Sequence, residues 1–100
     1  MKRVEVSVGA DLDVYNILSY IYRFSPKNAE AESDKLKNHF ENIGYFPGIC
    51  VPLKNFFDVD TELRRSVVAP YIVITEHYET HIVIHSVFHS KENYLAKLFS

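Results

Sequence analysis

The most constraining feature of this sequence is a succession of β-rich segments in its second half. Three segments are dense in Val, Ile and aromatic residues, a composition typical of strands, and they are Leu63–Val68, Tyr71–His77 and His81–His89. Only a few residues separate each segment from the next, and connections this short join antiparallel neighbours. The second half therefore predicts a three-stranded antiparallel meander.

The first half predicts one strand followed by two helices. Valines alternate with polar residues from Val4 to Val8, which indicates a short half-buried strand that Gly9 ends. Asp11 is then the predicted N-cap of a first helix that runs to about Phe24, because its carboxylate can accept from the first free N–H groups.

The second helix has the clearest periodicity. Small and apolar residues recur at steps of four and three along one stripe, namely Ala29, Ser33, Leu36, Phe40 and Ile43. Ser25-Pro26 opens this helix and Gly44 is expected to stop it. Two helices joined by so short a turn form an antiparallel hairpin that needs a third surface to cover it. The predicted fold class is therefore α+β, in the order β-α-α-β-β-β, with the helices packed on one face of the sheet in a single domain over residues 1–100.

The register of the last two strands decides which side chains face solvent. A three-residue loop at Tyr78-Glu79-Thr80 would gather one apolar face, made of Ile72, Ile74, Ile82, Ile84 and Phe88. We expect the helical hairpin to cover this face, because burial of one face normally dictates the register. The opposite face is then exposed and consists of Tyr71, Thr75, His77, His81, His85 and His89. Imidazoles this open should titrate near about 6.5.

Composition and charge limit the class of function. Eleven Lys and Arg stand against thirteen Asp and Glu, giving a net charge of -2, whereas nucleic-acid binders normally carry a basic excess. Cys50 is the one cysteine, so no internal disulfide forms, and no signal-peptide core or membrane-length apolar run is visible. We expect a cytoplasmic protein that has no membrane partner and does not itself bind DNA sequence-specifically.

The histidines of the last two strands do not predict a metal site. The residues at steps of four are His77, His81, His85 and His89. On a helix this spacing would bring imidazoles together, but on a strand it separates them by about 13 Å, too far for one ion. No phosphate loop, paired-Cys motif or zincin signature is present either. We therefore expect no metal and no other cofactor.

A candidate working surface lies near the C-terminal end of the last strand. The residues expected to gather there are Arg64, Arg65, Tyr71, His85, His89, Lys91 and Tyr94. Imidazole, guanidinium and phenol groups could cleave RNA by acid–base chemistry, with Arg65, His85 and His89 as the catalytic residues. The same side chains could anchor a protein partner, and residue types alone favour binding over catalysis. A strand sends Arg64 and Arg65 to opposite faces, and the alternation does not decide which one faces the working surface.

Several stretches, in this order along the chain, resemble toxins of the RelE/ParE superfamily. They are Ala10–Val14, Ile17–Ile21, Ser25-Pro26, Phe46-Pro47-Gly48, Leu63–Ile74 and Ile82–His89. The resemblance to the family's last strand ends at His89, because the family commonly continues into a Gly, a basic residue and an Asp, whereas Ser90-Lys91-Glu92-Asn93 follows here.

The resemblance implies the toxin of a type II toxin–antitoxin system, with growth arrest and plasmid stabilization as its effects and a cognate antitoxin as its partner. ParE-like members inhibit DNA gyrase by protein–protein contact, whereas RelE-like members are endoribonucleases that cut mRNA on the ribosome. The long helical hairpin, Pro70-Tyr71 and His89 resemble the ParE-like branch. The acidic net charge agrees, because a nuclease gains from phosphate contacts. We therefore expect a gyrase inhibitor that is not an enzyme, with ribosome-dependent mRNA cleavage as the alternative.

Overall fold

The computed structural model describes residues 1–99, in which helices pack against a five-stranded sheet. The strands are β1 (Arg3–Val6), β2 (Val51–Pro52), β3 (Arg64–Val68), β4 (Tyr71–His77) and β5 (His81–His89), and the helices are α1 (Val8–Tyr22), α2 (Pro26–Tyr45) and α3 (Tyr94–Phe99). The strand order is β1-β5-β4-β3-β2, with β1 parallel to β5 and the other neighbours antiparallel. The predicted α+β class, helical hairpin and meander are confirmed.

Helix α1 begins at Val8, before the predicted N-cap Asp11. Ser7 is the actual N-cap, and its hydroxyl oxygen accepts a hydrogen bond from the Ala10 N–H at 3.0 Å. Gly9 therefore lies inside the helix and does not end the strand. The prediction was wrong because the alternation of valines continues past the strand, while Ser7 offers a side chain suited to starting a helix.

Helix α2 begins as predicted and ends for a different reason. The Ser25 hydroxyl accepts from the Asn28 N–H at 3.1 Å, and Pro26 occupies the first turn. Gly44 does not stop the helix, which continues to Tyr45. The Gly44 carbonyl oxygen accepts a hydrogen bond from the Lys2 N–H at 3.0 Å. Because glycine has no side chain, the chain leading into β1 can approach the helix closely at this point.

The predicted three-residue loop at Tyr78-Glu79-Thr80 is wrong, because the Tyr78 N–H donates to the His81 carbonyl at 2.9 Å and His77 pairs with Ile82, which leaves a loop of two residues. The register is therefore shifted by one residue from the turn onward, and a bulge further along the pair shifts it once more. Thr75 pairs with Ile84, whereas the preceding residue Ile74 pairs with Ser86. His85 is thus the extra residue on β5, and side chains on its two sides change face relative to an unbroken ladder.

Because of the two-residue turn and the bulge, apolar side chains lie on both faces of the sheet, and both faces are covered. The face under α1 and α2 carries Tyr71, Val73, Ile82, Ile84 and Val87. The other face carries Ile72, Ile74 and Phe88, and it is covered by α3 and residues 53–63, which contribute Leu53, Phe57, Val59, Leu63, Tyr94, Leu95 and Leu98. The prediction of one isoleucine face under the hairpin, opposite an open face, is therefore wrong.

The side chains predicted to be open are largely enclosed. Tyr71 is 3% exposed and Thr75 is 0% exposed, both beneath the helical hairpin. The four histidines of β4 and β5 are half-buried. In addition, within residues 1–99 no helix combines the length and apolarity that crossing a bilayer requires.

Helix α1 takes over from β1 as the neighbour of β5 beyond Ile84. The Ser7 N–H donates to the Ile84 carbonyl at 3.0 Å, and the Ser7 hydroxyl donates to the His85 carbonyl at 3.0 Å. Nearly two turns later, at ~3.6 residues per turn, the Asp13 Oδ2 accepts from the Val87 N–H at 2.9 Å. Since buried backbone groups need partners, these side chains complete an edge that no strand covers.

Gly44→Ala tests the close approach of β1 to α2. The added methyl would lie 2.9 Å from the Lys2 carbonyl oxygen, a backbone contact that side-chain rotation cannot relieve. We expect a net loss of about 1–2 kcal/mol in the free energy of unfolding, measured in urea, despite alanine's better helix propensity. Gly48→Ala is the control, because its added Cβ meets no atom within 4 Å. Equal losses in the two variants would contradict this explanation.

Asp13→Ala tests the side-chain cap on the edge of β5. The variant leaves the Val87 N–H without its acceptor, so we expect the free energy of unfolding to fall by about 1–3 kcal/mol. Asp13→Asn keeps an acceptor oxygen at the same position, so its free energy of unfolding should fall by less than half as much as that of Asp13→Ala. Chemical denaturation of the three proteins side by side provides the measurement, and an Asn variant as unstable as the Ala variant would exclude this role.

Candidate functional site

The structure places the predicted site residues in several separate environments. Arg65 contacts Tyr94, the first residue of α3. Tyr71 and His89 meet beside the helical hairpin, and His85 occupies the bulge of β5. Arg64 lies toward the β2 edge, and Lys91 is exposed after β5.

Arg65 lies on the sheet face away from the helical hairpin, since it pairs with Ile74. Its guanidinium carbon lies 3.9 Å from the centroid of the Phe56 ring and 5.8 Å from that of Phe57. Its Nη1 donates a hydrogen bond to the Tyr94 hydroxyl at 2.9 Å. The guanidinium therefore rests on aromatic rings and is held at one corner by a phenol.

Arg64 lies on the hairpin side, since it pairs with the buried Thr75. Its Nη1 makes a long contact of 3.5 Å with the Cys50 carbonyl oxygen. The two adjacent arginines thus occupy opposite faces, as predicted, and the structure assigns Arg65 to the aromatic one.

His89 and Tyr71 form the second group, at the end of β5 and the start of β4. Their rings meet edge to face, with centroids 6.3 Å apart. The His89 Nδ1 accepts from the Lys91 N–H at 3.1 Å, so the neutral ring carries its proton on Nε2. Burial, together with the charge of Glu32 and a hydrogen bond to it, raises the pKa of the Tyr71 hydroxyl.

A groove of about 530 Å³ opens between this pair and α1. Its apolar walls come from Ile17, Tyr20, Ile21 and Pro70, and its polar lining comes from Asn16, Glu32 and His89. Glu32 also forms an ion pair with Lys35 at 3.0 Å, so the negative charge of Glu32 is compensated by that lysine.

His85 forms the third environment. Its Nδ1 lies 2.9 Å from the Ser86 hydroxyl, and it borders a pocket of about 300 Å³ shared with Asp13 and Lys97. Arg65 pairs with Ile74, which in turn pairs with Ser86, so Arg65 lies two strand spacings, about 10 Å, from β5. The three residues predicted to be catalytic in the nuclease alternative are therefore not gathered around one point.

Two histidines form hydrogen bonds that sequence reasoning did not identify. The His39 Nε2 lies 2.8 Å from the Ser66 hydroxyl, and burial lowers the pKa of His39. The His77 Nε2 lies 2.9 Å from the Thr75 hydroxyl. Burial, with added repulsion from Arg64 and Lys2, lowers the pKa of His77 to about 4. The expectation that every histidine of the sheet titrates near its usual value is therefore wrong for His77.

Helix α1 also carries an apolar stripe on its outer side, which the sequence analysis above does not include. Steps of four and three connect Val8, Leu12, Tyr15, Ser19 and Tyr22, and the apolar members are exposed, Tyr15 by 67% and Tyr22 by 62%. Together with α2 this stripe borders a groove of about 750 Å³. The same periodicity that identifies a core stripe could have revealed this outer one.

The described part of the chain contains no group of side chains suited to binding a metal ion. Within residues 1–99, no three His, Cys, Asp or Glu side chains are grouped so that they could hold a metal ion. The polar groups of the site are instead arginine, histidine and tyrosine side chains that suit contact with another macromolecule.

Comparison with known proteins then defines the class. The family model described as ParE toxin of type II toxin-antitoxin system, parDE, matches residues 4–94. The chain belongs to this family of ParE toxins, so the predicted resemblance and its ParE-like branch are confirmed. A search of curated proteins finds no match. Membership implies a toxin role and an antitoxin partner.

We expect the His77 ring to remain neutral well below the usual range. Its pKa is about 4 in the folded protein and about 6.5 once unfolded. The unfolded chain therefore binds the proton first, and the stability contributed by neutral His77 is present above about pH 6.5 and is lost as the pH falls through about 4. NMR titration of the ring protons measures the pKa, and urea unfolding at several pH values measures the loss, which His77→Gln should reduce. A His77 resonance that titrates near 6.5 would contradict the burial.

Proposed function

We propose that this ParE-family toxin inhibits DNA gyrase by protein–protein contact and is neutralised by a cognate antitoxin. The observation that carries the proposal is the family match over residues 4–94. The toxin would act in the cytoplasm, where its release from the antitoxin arrests growth and thereby favours plasmid stabilization. It would act by binding, without a catalytic step.

The separation of the catalytic candidates supports a binding role. General acid–base catalysis needs groups within hydrogen-bonding reach of one substrate, whereas Arg65, His85 and His89 each have different neighbours. The net charge of -2 also provides little attraction for RNA.

The exposed surfaces support the same role. The outer stripe of α1 leaves Leu12, Tyr15 and Tyr22 more than half exposed, an apolar patch of the kind that marks protein contact sites. Among the candidate binding residues, Arg64, Arg65, His85, His89 and Lys91 are accessible enough to touch a partner. Tyr71 and Tyr94 are buried, so they would act by holding His89 and Arg65 in place.

Supercoiling by purified DNA gyrase tests the proposal directly. We expect the toxin to block supercoiling of relaxed plasmid, and we expect the protein encoded by an adjacent small reading frame to restore activity when added in equimolar amount. Induction in bacteria should stop replication while mRNA remains intact. Tyr15→Arg should weaken binding to gyrase or to the antitoxin, because it places a charge in the exposed apolar stripe of α1. Lys37→Ala, on the exposed face of α2, should weaken neither.

Two results would redirect the proposal. Site-specific mRNA cleavage on translating ribosomes, lost in Arg65→Ala or His89→Ala, would indicate an endoribonuclease with the ribosome and its mRNA as partners. Unimpaired growth on induction without any antitoxin would indicate an inactive relative.

A further inference from the structure

Arg65 is a charged group with unused binding capacity. A guanidinium has five N–H donors, and one of those on Arg65 is used, toward the Tyr94 hydroxyl. Among residues 1–99, four carboxylates form ion pairs with Lys or Arg and one of them also contacts His81, and none of these contacts involves Arg65. The residue is half-buried, and no guanidinium nitrogen of Arg65 is among the buried polar atoms that lack a partner in the described chain, so its unbonded nitrogens reach solvent.

The surrounding rings fix the guanidinium before any partner arrives. Phe56 stacks against it at 3.9 Å, and Tyr94 is itself held between Phe57 and Phe88, with ring centroids at 6.2 and 6.0 Å. Tyr94 is 8% exposed and cannot move freely. An arginine ordered in this way loses little conformational freedom on binding, which favours affinity.

The free edge of such a guanidinium matches a group with two anionic oxygens, either a carboxylate or a phosphate. The charges of the neighbouring segment favour a carboxylate over a phosphate. Phe57 leads directly into Asp58, Asp60 and Glu62, of which Glu62 lies 3.6 Å from Lys54. This acidic segment would repel a chain of phosphates, whereas one carboxylate can be accepted by Arg65 alone.

We propose that Arg65 is a carboxylate-binding site, and that its occupant is a single Asp or Glu side chain of the antitoxin. The assignment of the occupant rests on the proposed neutralisation by an antitoxin, a partner that family membership implies. Phe56, Phe57 and Tyr94 are positioning residues for the arginine.

The first experiment tests the site without any partner. Arginine Nε–Hε resonances of the ¹⁵N-labelled toxin are followed by NMR during titration with sodium acetate and, separately, with sodium phosphate at a pH where it is mostly the monoanion. We expect the Arg65 resonance to shift saturably with acetate, while those of Arg3 and Arg23 drift linearly. An Arg65 response no larger than theirs would overturn the site. Saturation by phosphate at concentrations tenfold lower than by acetate would overturn its assignment to a carboxylate.

The second experiment tests the occupant. Calorimetry measures the Kd of the antitoxin for the toxin and for Arg65→Gln, with Arg3→Gln as the matched loss of charge at the opposite edge of the sheet. We expect about a tenfold to hundredfold weaker Kd for Arg65→Gln, the range for a hydrogen bond to a charged group, and little change for Arg3→Gln. Equal affinities for the three proteins would overturn the antitoxin as occupant.

Folding and partner identity are controlled separately. Thermal unfolding confirms that Arg65→Gln is folded, and Arg65→Lys, which keeps the charge over Phe56 but not the planar donor edge, should also bind weakly. Arg65→Glu should lose binding, and one Asp→Lys or Glu→Lys change in the antitoxin should restore it. If no antitoxin binds even the unaltered toxin, the proposed neutralisation fails, whereas the acetate titration still decides the carboxylate site.

Discussion

Four residues of β1 pair in parallel with residues 81–84 of β5, from Arg3 with His81 to Val6 with Ile84. This contact joins the beginning of the chain to its last strand and makes β5 an interior strand. It also fixes the position of α1, because the chain turns into the helix at Ser7, beside the point where the pairing stops. The helical hairpin can then lie only on the face that Val4 and Ile82 share.

The bulge at His85 lies where this parallel pairing ends. Ser7 and Asp13 bind backbone groups of His85 and Val87, so α1 replaces a strand along the rest of β5. One extra residue there brings Ile84 and Val87 to the same face and sends Phe88 to the other. Both faces of a small sheet therefore become apolar, and each needs its own cover, the hairpin on one side and α3 with residues 53–63 on the other.

The elements could be predicted from the sequence because their signals are local. Period-two and helical spacing, together with Ser25-Pro26, lie within each segment and do not depend on tertiary contacts. The register could not, because a three-residue turn follows only if one face of the sheet is buried, whereas α3 and residues 53–63 bury the other face as well. The bulge lies beside Ser7 and Asp13, which are more than seventy residues away in the chain and bind backbone groups of His85 and Val87. From the sequence, Arg65 and Tyr94 were predicted to lie in one candidate site, and the structure shows that they are in contact. The stacking of Arg65 on Phe56 could not be predicted, because the alternation of apolar and polar residues does not place residues 53–63 over β3.

The same contacts that pack α3 against the sheet also orient Arg65. Tyr94 belongs to the apolar cluster of that face, and its hydroxyl oxygen accepts a hydrogen bond from the guanidinium. A buried phenol needs a hydrogen-bond partner, and Arg65 provides one. In return, the hydrogen bond to Tyr94 fixes the plane of the guanidinium over the Phe56 ring. Stability and the carboxylate binding that we propose for Arg65 are consequently coupled on this face. Loss of Tyr94 would remove packing and disorder Arg65 at once, whereas changes confined to the free edge of the guanidinium would alter only the proposed binding and leave the cluster beneath it intact.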